Sequence, residues 1–252
     1  MNDGLGAVCD EFYVNSRLAL KLDMALERET VLHFFDRLRR QYPALAKLRR
    51  RGDSCLLLEE DDAAGKDAHR WVRLDRRSLR FGQCAPNDTS DVRQFADLIL
   101  NQAPYHLSFS EIDFDHLALA YGYDLEYCGN HDQLVAETFC SDQRGASFLF
   151  GRETAHIIDA QPYFGIALSR QCDLQAYVEI KSRTTTYEVR NDAYESEPIS
   201  VLFTLRKYWG VGQSLSLTDT LGTLFDTADE LAAETIIPAF VNPLAAAIAS
   251  QP

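Results

Sequence analysis

Two segments alternate apolar and polar side chains with a period of two, and that pattern commits the chain to sheet with one buried and one wetter side. In EFYVNSRLALKLDM, residues 11–24, Phe12, Val14, Leu18, Leu20, Leu22 and Met24 point one way, and Tyr13, Asn15, Arg17, Lys21 and Asp23 point the other. In LALAYGYDLEY, residues 117–127, Leu117, Leu119, Tyr121, Tyr123, Leu125 and Tyr127 share a face. Each strand is followed by helical spacing. The first helix carries Val31, Phe34, Phe35, Leu38 and Tyr42 and meets Pro43, which breaks or ends it. The second opens on Asn130 with Gln133, a capping-box pattern, ahead of Leu134, Val135 and Phe139.

The order of elements then repeats. CLLLEE (55–60), RWVRL and SLRFGQ read as strands, the last two flanking a hairpin turn at Asp75, Arg76 and Arg77. NDTSD caps a helix with Val92, Phe95, Ala96 and Ile99 inside, ending before Pro104. In the second half TAHIID, PYFGIALS, LQAYVEIKS, TTTYEVRN and ISVLFTLRKYW read as a meander. A closing helix over about 216–236 follows, with Leu217, Leu221, Leu224, Phe225, Ala228, Leu231 and Thr235 on its apolar side and Pro238 beyond its end. The expectation is an α+β fold: a duplicated strand-helix-strands-helix unit, mostly antiparallel sheets covered by helices on one face. Residues 1–252 then form a single body of two similar halves, 11–104 and 105–252, joined near 105–115, and proteolysis at the junction releases no stable half.

The segments FFDRLRRQYPAL, RWVRLDRRSLRFG and LALAYGYDLEY, with the long carboxy-terminal helix, resemble a sporadically distributed bacterial family of uncharacterised proteins of about this length. The resemblance lies in spacing and element order, covers most of the chain, and implies a fold without implying an activity.

Composition fits a folded domain: of 252 residues, 46% are hydrophobic and 25% charged. No apolar run in the sequence approaches the ~20 residues of a membrane span, and the start MNDGLGAVCDEF lacks the features of a signal peptide, so a cytoplasmic protein with no membrane contact is expected. The six cysteines form no CxxC pair and read as buried free thiols. Cys128, His131 and Cys140 come nearest to a metal grouping, but zinc sites use two close ligand pairs and no second pair exists. No metal and no cofactor is expected.

Charge is segregated. The formal net charge is -13, yet residues 37–80 hold 13 Lys and Arg against 7 Asp and Glu, and RLRRQYPALAKLRRR (37–51) has seven basic and no acidic residues. Arg37, Arg40, Lys47, Arg49, Arg50, Arg51, Arg76 and Arg77 are the candidate binding residues, since guanidinium groups grip carboxylate or phosphate in paired geometry. The competing reading is neutralisation within the chain, because residues 210–252 hold five acids (Asp219, Asp226, Asp229, Glu230, Glu234) and no Lys or Arg. Nucleic acid is possible but not favoured, since the rest of the surface repels phosphate.

An enzymatic alternative uses Glu137, Asp159, Glu179 and Lys181 as a metal-dependent, nuclease-like phosphodiesterase, with carboxylates holding a divalent cation and the lysine assisting water. It requires strands at 154–160 and 174–182 to be neighbours. WGVGQS (209–214) is a Gly-rich turn that fits no phosphate-loop pattern. Tyr121, Tyr123 and Tyr127 line either core or a pocket, and a groove between helices is the place for a small molecule. The leading expectation is a binding or interaction protein without a catalytic motif. Its partner is an acidic protein or a second copy whose acidic closing helix meets the basic block, and such association weakens with salt.

Overall fold

A computed structural model describes residues 5–52, 55–61, 69–86, 88–152, 154–209 and 216–251. Its strands are β1 (Glu11–Leu20), β2 (Lys47–Arg51), β3 (Cys55–Glu59), β4 (His69–Asp75), β5 (Ser78–Cys84), β6 (Phe114–Tyr127), β7 (Tyr163–Ala167), β8 (Leu174–Lys181) and β9 (Glu197–Tyr208). All nine join one sheet in the order β2-β3-β4-β5-β1-β6-β9-β8-β7, and every neighbouring pair is antiparallel. The two alternating segments of the sequence therefore lie side by side at its centre, Val14 opposite Tyr121 and Tyr13 opposite Gly122. Glycine makes room there for the Tyr13 ring, which a Cβ on Gly122, 2.1 Å from it, would displace.

The helices are α1 (Arg28–Gln41), α2 (Thr89–Leu107), α3 (His131–Cys140), α4 (Ala146–Phe150), α5 (Thr186–Asn191), α6 (Leu217–Leu231) and α7 (Asn242–Ala249). α6 packs on β6 and β9, α2 on β5 and on α6, α1 on α2, and α3 on α7. One hydrophobic cluster runs through both halves, from Phe34, Phe81 and Phe95 to Phe203, Phe225 and Leu244. A polar pin crosses it. The Tyr121 hydroxyl donates to Asp229 at 2.5 Å, and Arg93 on α2 bonds Asp226 at 2.7 Å and Asp229 at 2.9 Å, so one guanidinium ties α2 to α6.

Local signals explain several boundaries. Asp88 caps α2 by accepting from the Ser90 amide at 2.9 Å, Asn130 caps α3 through the Gln133 amide, and α1 stops at Gln41, two residues before Pro43. Five expectations are corrected. α2 continues through Pro104 to Leu107, because burial of Ala103 and Leu107 outweighs one missing N–H; a left-handed Ser108 ends it. The closing helix does not stop before Pro238: a π-helical stretch, residues 232–241, carries it through the proline into α7. TTTYEVRN is not a strand. Thr185 and Glu188 form a reciprocal capping box and start α5. TAHIID is not a strand either: the α3 cap Asn130 donates to the Ile157 carbonyl at 2.9 Å, and Asp132 on α3 accepts from the amide of Ala160, the next residue, at 2.9 Å. Leu22, placed inward by the alternation, is 63% exposed because β1 ends at Leu20.

Candidate interaction surfaces at the two sheet edges

The basic block divides between two elements. Arg37 and Arg40 lie exposed on α1, while KLRRR forms β2, one of the two outermost strands, so no single helix carries a basic stripe. Arg39 joins the pieces by donating to the carbonyls of Leu45 and Ala46, both at 2.9 Å. Neutralisation is local and comes from the first half. Arg49 pairs with Glu59 at 2.6 Å and Lys47 with the same carboxylate at 4.0 Å. Arg70 pairs with Glu60 at 3.2 Å, Arg73 with Asp75 at 2.9 Å, and Arg77 with Asp23 at 2.5 Å. Burial opposes ionisation of Asp75, but the Arg73 bonds outweigh it and hold the carboxyl below its usual range; the Arg77 bond does the same for Asp23. The acidic closing helix is not the partner of the block: among the described residues Asp226 and Asp229 pair with Arg93.

Behind β2 lies a cavity of about 450 Å³ with Met24, Leu26, Val31, Leu32, Leu48 and Leu56 as its apolar wall. Arg28, Arg50 and Arg76 stand around it. Arg50 also donates to the Gly52 carbonyl at 3.2 Å.

The opposite edge has different chemistry. β7 reads YFGIA and every residue of it is exposed, Tyr163 at 55%, Phe164 at 51% and Ile166 at 62%. The Ile180 amide bonds the Pro162 carbonyl and the Leu168 amide bonds the Leu174 carbonyl. By antiparallel alternation Phe164 and Ile166 turn their backbone groups to β8, which leaves those of Tyr163, Gly165 and Ala167 facing outward. Phe164 and Ile166 stand opposite Val178 and Ala176, both buried, so they prolong the core face past its last covered strand. On the other face Tyr163 stacks on Tyr177 with centroids 5.7 Å apart, and Arg206 lies 4.5 Å above the Tyr177 ring.

The carboxy-terminal helical stretch adjoins this edge. Phe240 lies 6.3 Å from Phe164 and 6.0 Å from Phe139, measured between ring centroids. The unbroken stretch Leu217–Ala249 contains an 18-residue window of mean hydropathy 1.6, of which 22% is buried. By length and composition it is the one described helix able to cross a membrane. Residues 232–251 hold a single charged side chain, Glu234.

The proposed phosphodiesterase residues come together only in part. Glu179 and Lys181 pair at 3.4 Å on β8. Asp159 lies in the coil after α4 and accepts from Gln161 at 3.4 Å, and Glu137 on α3 accepts from Gln133. Residues 154–160 contain no strand, so the required neighbouring strands are not formed. Among the described residues no three His, Cys, Asp or Glu side chains are grouped to hold a metal.

Cys128, His131 and Cys140 have other surroundings. Cys128 donates to the Tyr194 carbonyl, while His131 is buried with Nδ1 accepting from the Arg183 amide and Nε2 on the Tyr127 carbonyl, both at 3.2 Å. All six thiols are free, but only Cys55 is fully buried; Cys128 and Cys172 are exposed, Cys172 at the positive-φ turn before β8. Burial and then nearby carboxylates push Cys9 up to about 12 and Cys84 up to about 11, which keeps both protonated. Tyr121 and Tyr123 are core, fully buried, and Tyr127 is partly so. In WGVGQS only Trp209 is described; Gly210–Ser214 lie outside the described residues.

β2 has no strand signature in the sequence, because its only apolar residue is Leu48 and both faces are wet. Nor does β7 announce itself as an edge, since a pentapeptide such as YFGIA looks the same inside a sheet or at its border. No model of a known protein family matches the chain, and no significant match to a curated protein is found.

Proposed function

We propose that the chain is a binding protein that associates with a second copy of itself through β7 and the apolar face of the carboxy-terminal helix. The observation that carries this reading is an outermost strand whose side chains are apolar on one face and aromatic on the other, with outward backbone groups and no charge to block pairing. Two such strands pair antiparallel across a two-fold axis near Gly165, setting Phe164 against Ile166 of the other copy. A Cβ at Gly165 would lie 2.7 Å from Tyr177, so the ring of the neighbouring β8 lies over the strand at its midpoint.

Two further points support a protein and not a lipid as occupant. Interfacial helices bind anionic membranes through Lys and Arg, and residues 210–252 contain none. Outward amides of β7 gain partners from another strand but would be left unsatisfied in hydrocarbon.

The reading includes a duplicated unit with helices on one face. Going outward from the central pair, β5, β4, β3 and β2 follow β1, and β9, β8 and β7 follow β6. In that correspondence β7 matches β3, whose CLLLE is covered by basic β2. Among the described residues no strand covers β7. A second copy supplies it. Free thiols at all six cysteines suit a reducing compartment, the cytoplasm.

Sedimentation of the wild type beside Phe240→Glu tests the reading. We expect a dimer for the wild type and a monomer for the variant at equal concentration. A wild-type monomer, or a dimer that Phe240→Glu leaves intact, overturns it, and flotation of the wild type with lipid vesicles assigns the surface to a membrane instead.

A further inference from the structure

We infer that the cavity behind β2 is a binding site for a small aliphatic anion, an acyl carboxylate whose chain lies on the leucine wall and whose head meets the arginines. The site is independent of the β7 surface and lies at the other end of the sheet.

Its walls come from four places that the fold brings together. Met24 and Leu26 sit in the segment between β1 and α1; Arg28, Val31 and Leu32 are in the first turns of α1. Leu48, Arg50 and Leu56 come from the β2–β3 hairpin, and Arg76 from the β4–β5 turn. The Met24 amide donates to the Arg76 carbonyl at 2.7 Å, which fixes that turn against the floor. A volume of about 450 Å³ falls within the range of about 300–1,000 Å³ typical of small-molecule sites.

The lining chooses the ligand class. Among the described residues six aliphatic side chains and three guanidinium groups line it, with no aromatic ring to stack on a base and no amide or hydroxyl side chain to read a sugar. Nucleotides and saccharides therefore find few of the contacts they need, whereas an aliphatic chain with one anionic end matches both halves of the wall. Two of the three cations are available. Among the described residues Arg28 and Arg76 make no ion pair, although the neighbouring Asp23, held by Arg77, also feels Arg76. α1 starts at Arg28 without a side-chain cap, so the positive end of a 14-residue helix adds to the field at the mouth.

Titration calorimetry with decanoate, decanol and acetate, each below its aggregation limit, tests the inference on the full chain. We expect decanoate to bind at least about tenfold more tightly than either decanol or acetate, since each control lacks one half of the match; tenfold corresponds to about 1.4 kcal/mol. Arg28→Ala with Arg76→Ala should weaken decanoate at least about tenfold at an unchanged unfolding temperature, both side chains being exposed. Leu32→Asp should weaken it through the wall. Equal affinity for decanoate and decanol, no binding of decanoate, or an unaffected double-arginine variant would overturn the site. A free acyl anion is distinguished from a lipid headgroup by vesicles of phosphatidylcholine with phosphatidylglycerol: retention on vesicles without decanoate binding also overturns the inference, and decanoate binding without retention supports it.

Discussion

β2 and β7 are both outermost strands, five residues each, and the sheet treats them in opposite ways. β2 is KLRRR, with Lys47 and Arg49 sharing the Glu59 carboxylate across to β3. β7 is YFGIA, exposed on both faces and touching the apolar carboxy-terminal stretch through Phe164 and Phe240. Charge on an edge strand makes strand addition costly, because each incoming residue must desolvate a guanidinium. An apolar edge carries the reverse cost, since it leaves hydrophobic area in water until something covers it. One end of the sheet is thus bordered by charge, and the other by exposed apolar and aromatic side chains.

The largest expected effect tests whether the two edges belong to one body. Phe203 is 2% exposed at the middle of β9, inside the cluster that spans both halves. Phe203→Ala should cost about 3–5 kcal/mol in one cooperative transition. Two separate transitions by chemical denaturation would show that the edges unfold independently.

Next in size is a charge placed on β7. Ile166→Lys should weaken self-association by about 2–4 kcal/mol, the scale of a central interface residue, and Leu48→Lys on β2 should leave it unchanged. If both variants weakened it equally, the distinction between the edges would fail. Removing the pin comes third. Asp229→Asn keeps the shape but takes away the charge between Arg93 and Tyr121, and should cost about 1–3 kcal/mol of folding stability without altering association of the folded protein.

Acidification supplies a directional test. Burial holds His131, and burial against its Asp115 bond holds His116, below the ordinary histidine value. Both hold on to the neutral form to lower pH when folded than in the unfolded chain, which takes up protons below about pH 6.5. Their contribution to stability is therefore unchanging above that pH and falls as the pH drops below it toward the folded values. His131→Gln should reduce the fall seen in urea midpoints between pH 7 and pH 5. The smallest effect belongs to the basic edge. Arg49→Ala should change stability by less than about 1 kcal/mol, because its pair with Glu59 is half exposed.

Periodicity made the centre of the sheet readable in advance. β1 and β6 carry long alternation, and their inward residues Phe12, Val14, Leu18, Leu117, Tyr121 and Tyr123 are all buried. Caps were equally local, which is why Asp88 and Asn130 start helices where the sequence puts them. The failures share a physical cause: the deciding contact is distant. Pro104 and Pro238 look like stops until the burial of Ala103, Leu107 and Leu244 is known. TAHIID alternates enough for a strand, yet Asn130 and Asp132 bond its Ile157 carbonyl and the following Ala160 amide from another element. The basic residues were legible as a group, but their division between α1 and β2, and the wall of leucines behind Arg50 and Arg76, exist only once the hairpin folds over the start of α1. The apolar edge had no signature, because being outermost is a property of the strand order.

Sedimentation equilibrium of the wild-type chain across low and high salt tests the central claim most directly. Burial of β7 and the carboxy-terminal helix predicts a dimer whose dissociation constant stays the same or falls as salt rises, since screening also reduces repulsion between two chains of net charge -13. A dimer that dissociates as salt rises would place the contact on the arginines of the opposite edge, and a monomer at every salt concentration would contradict the account altogether.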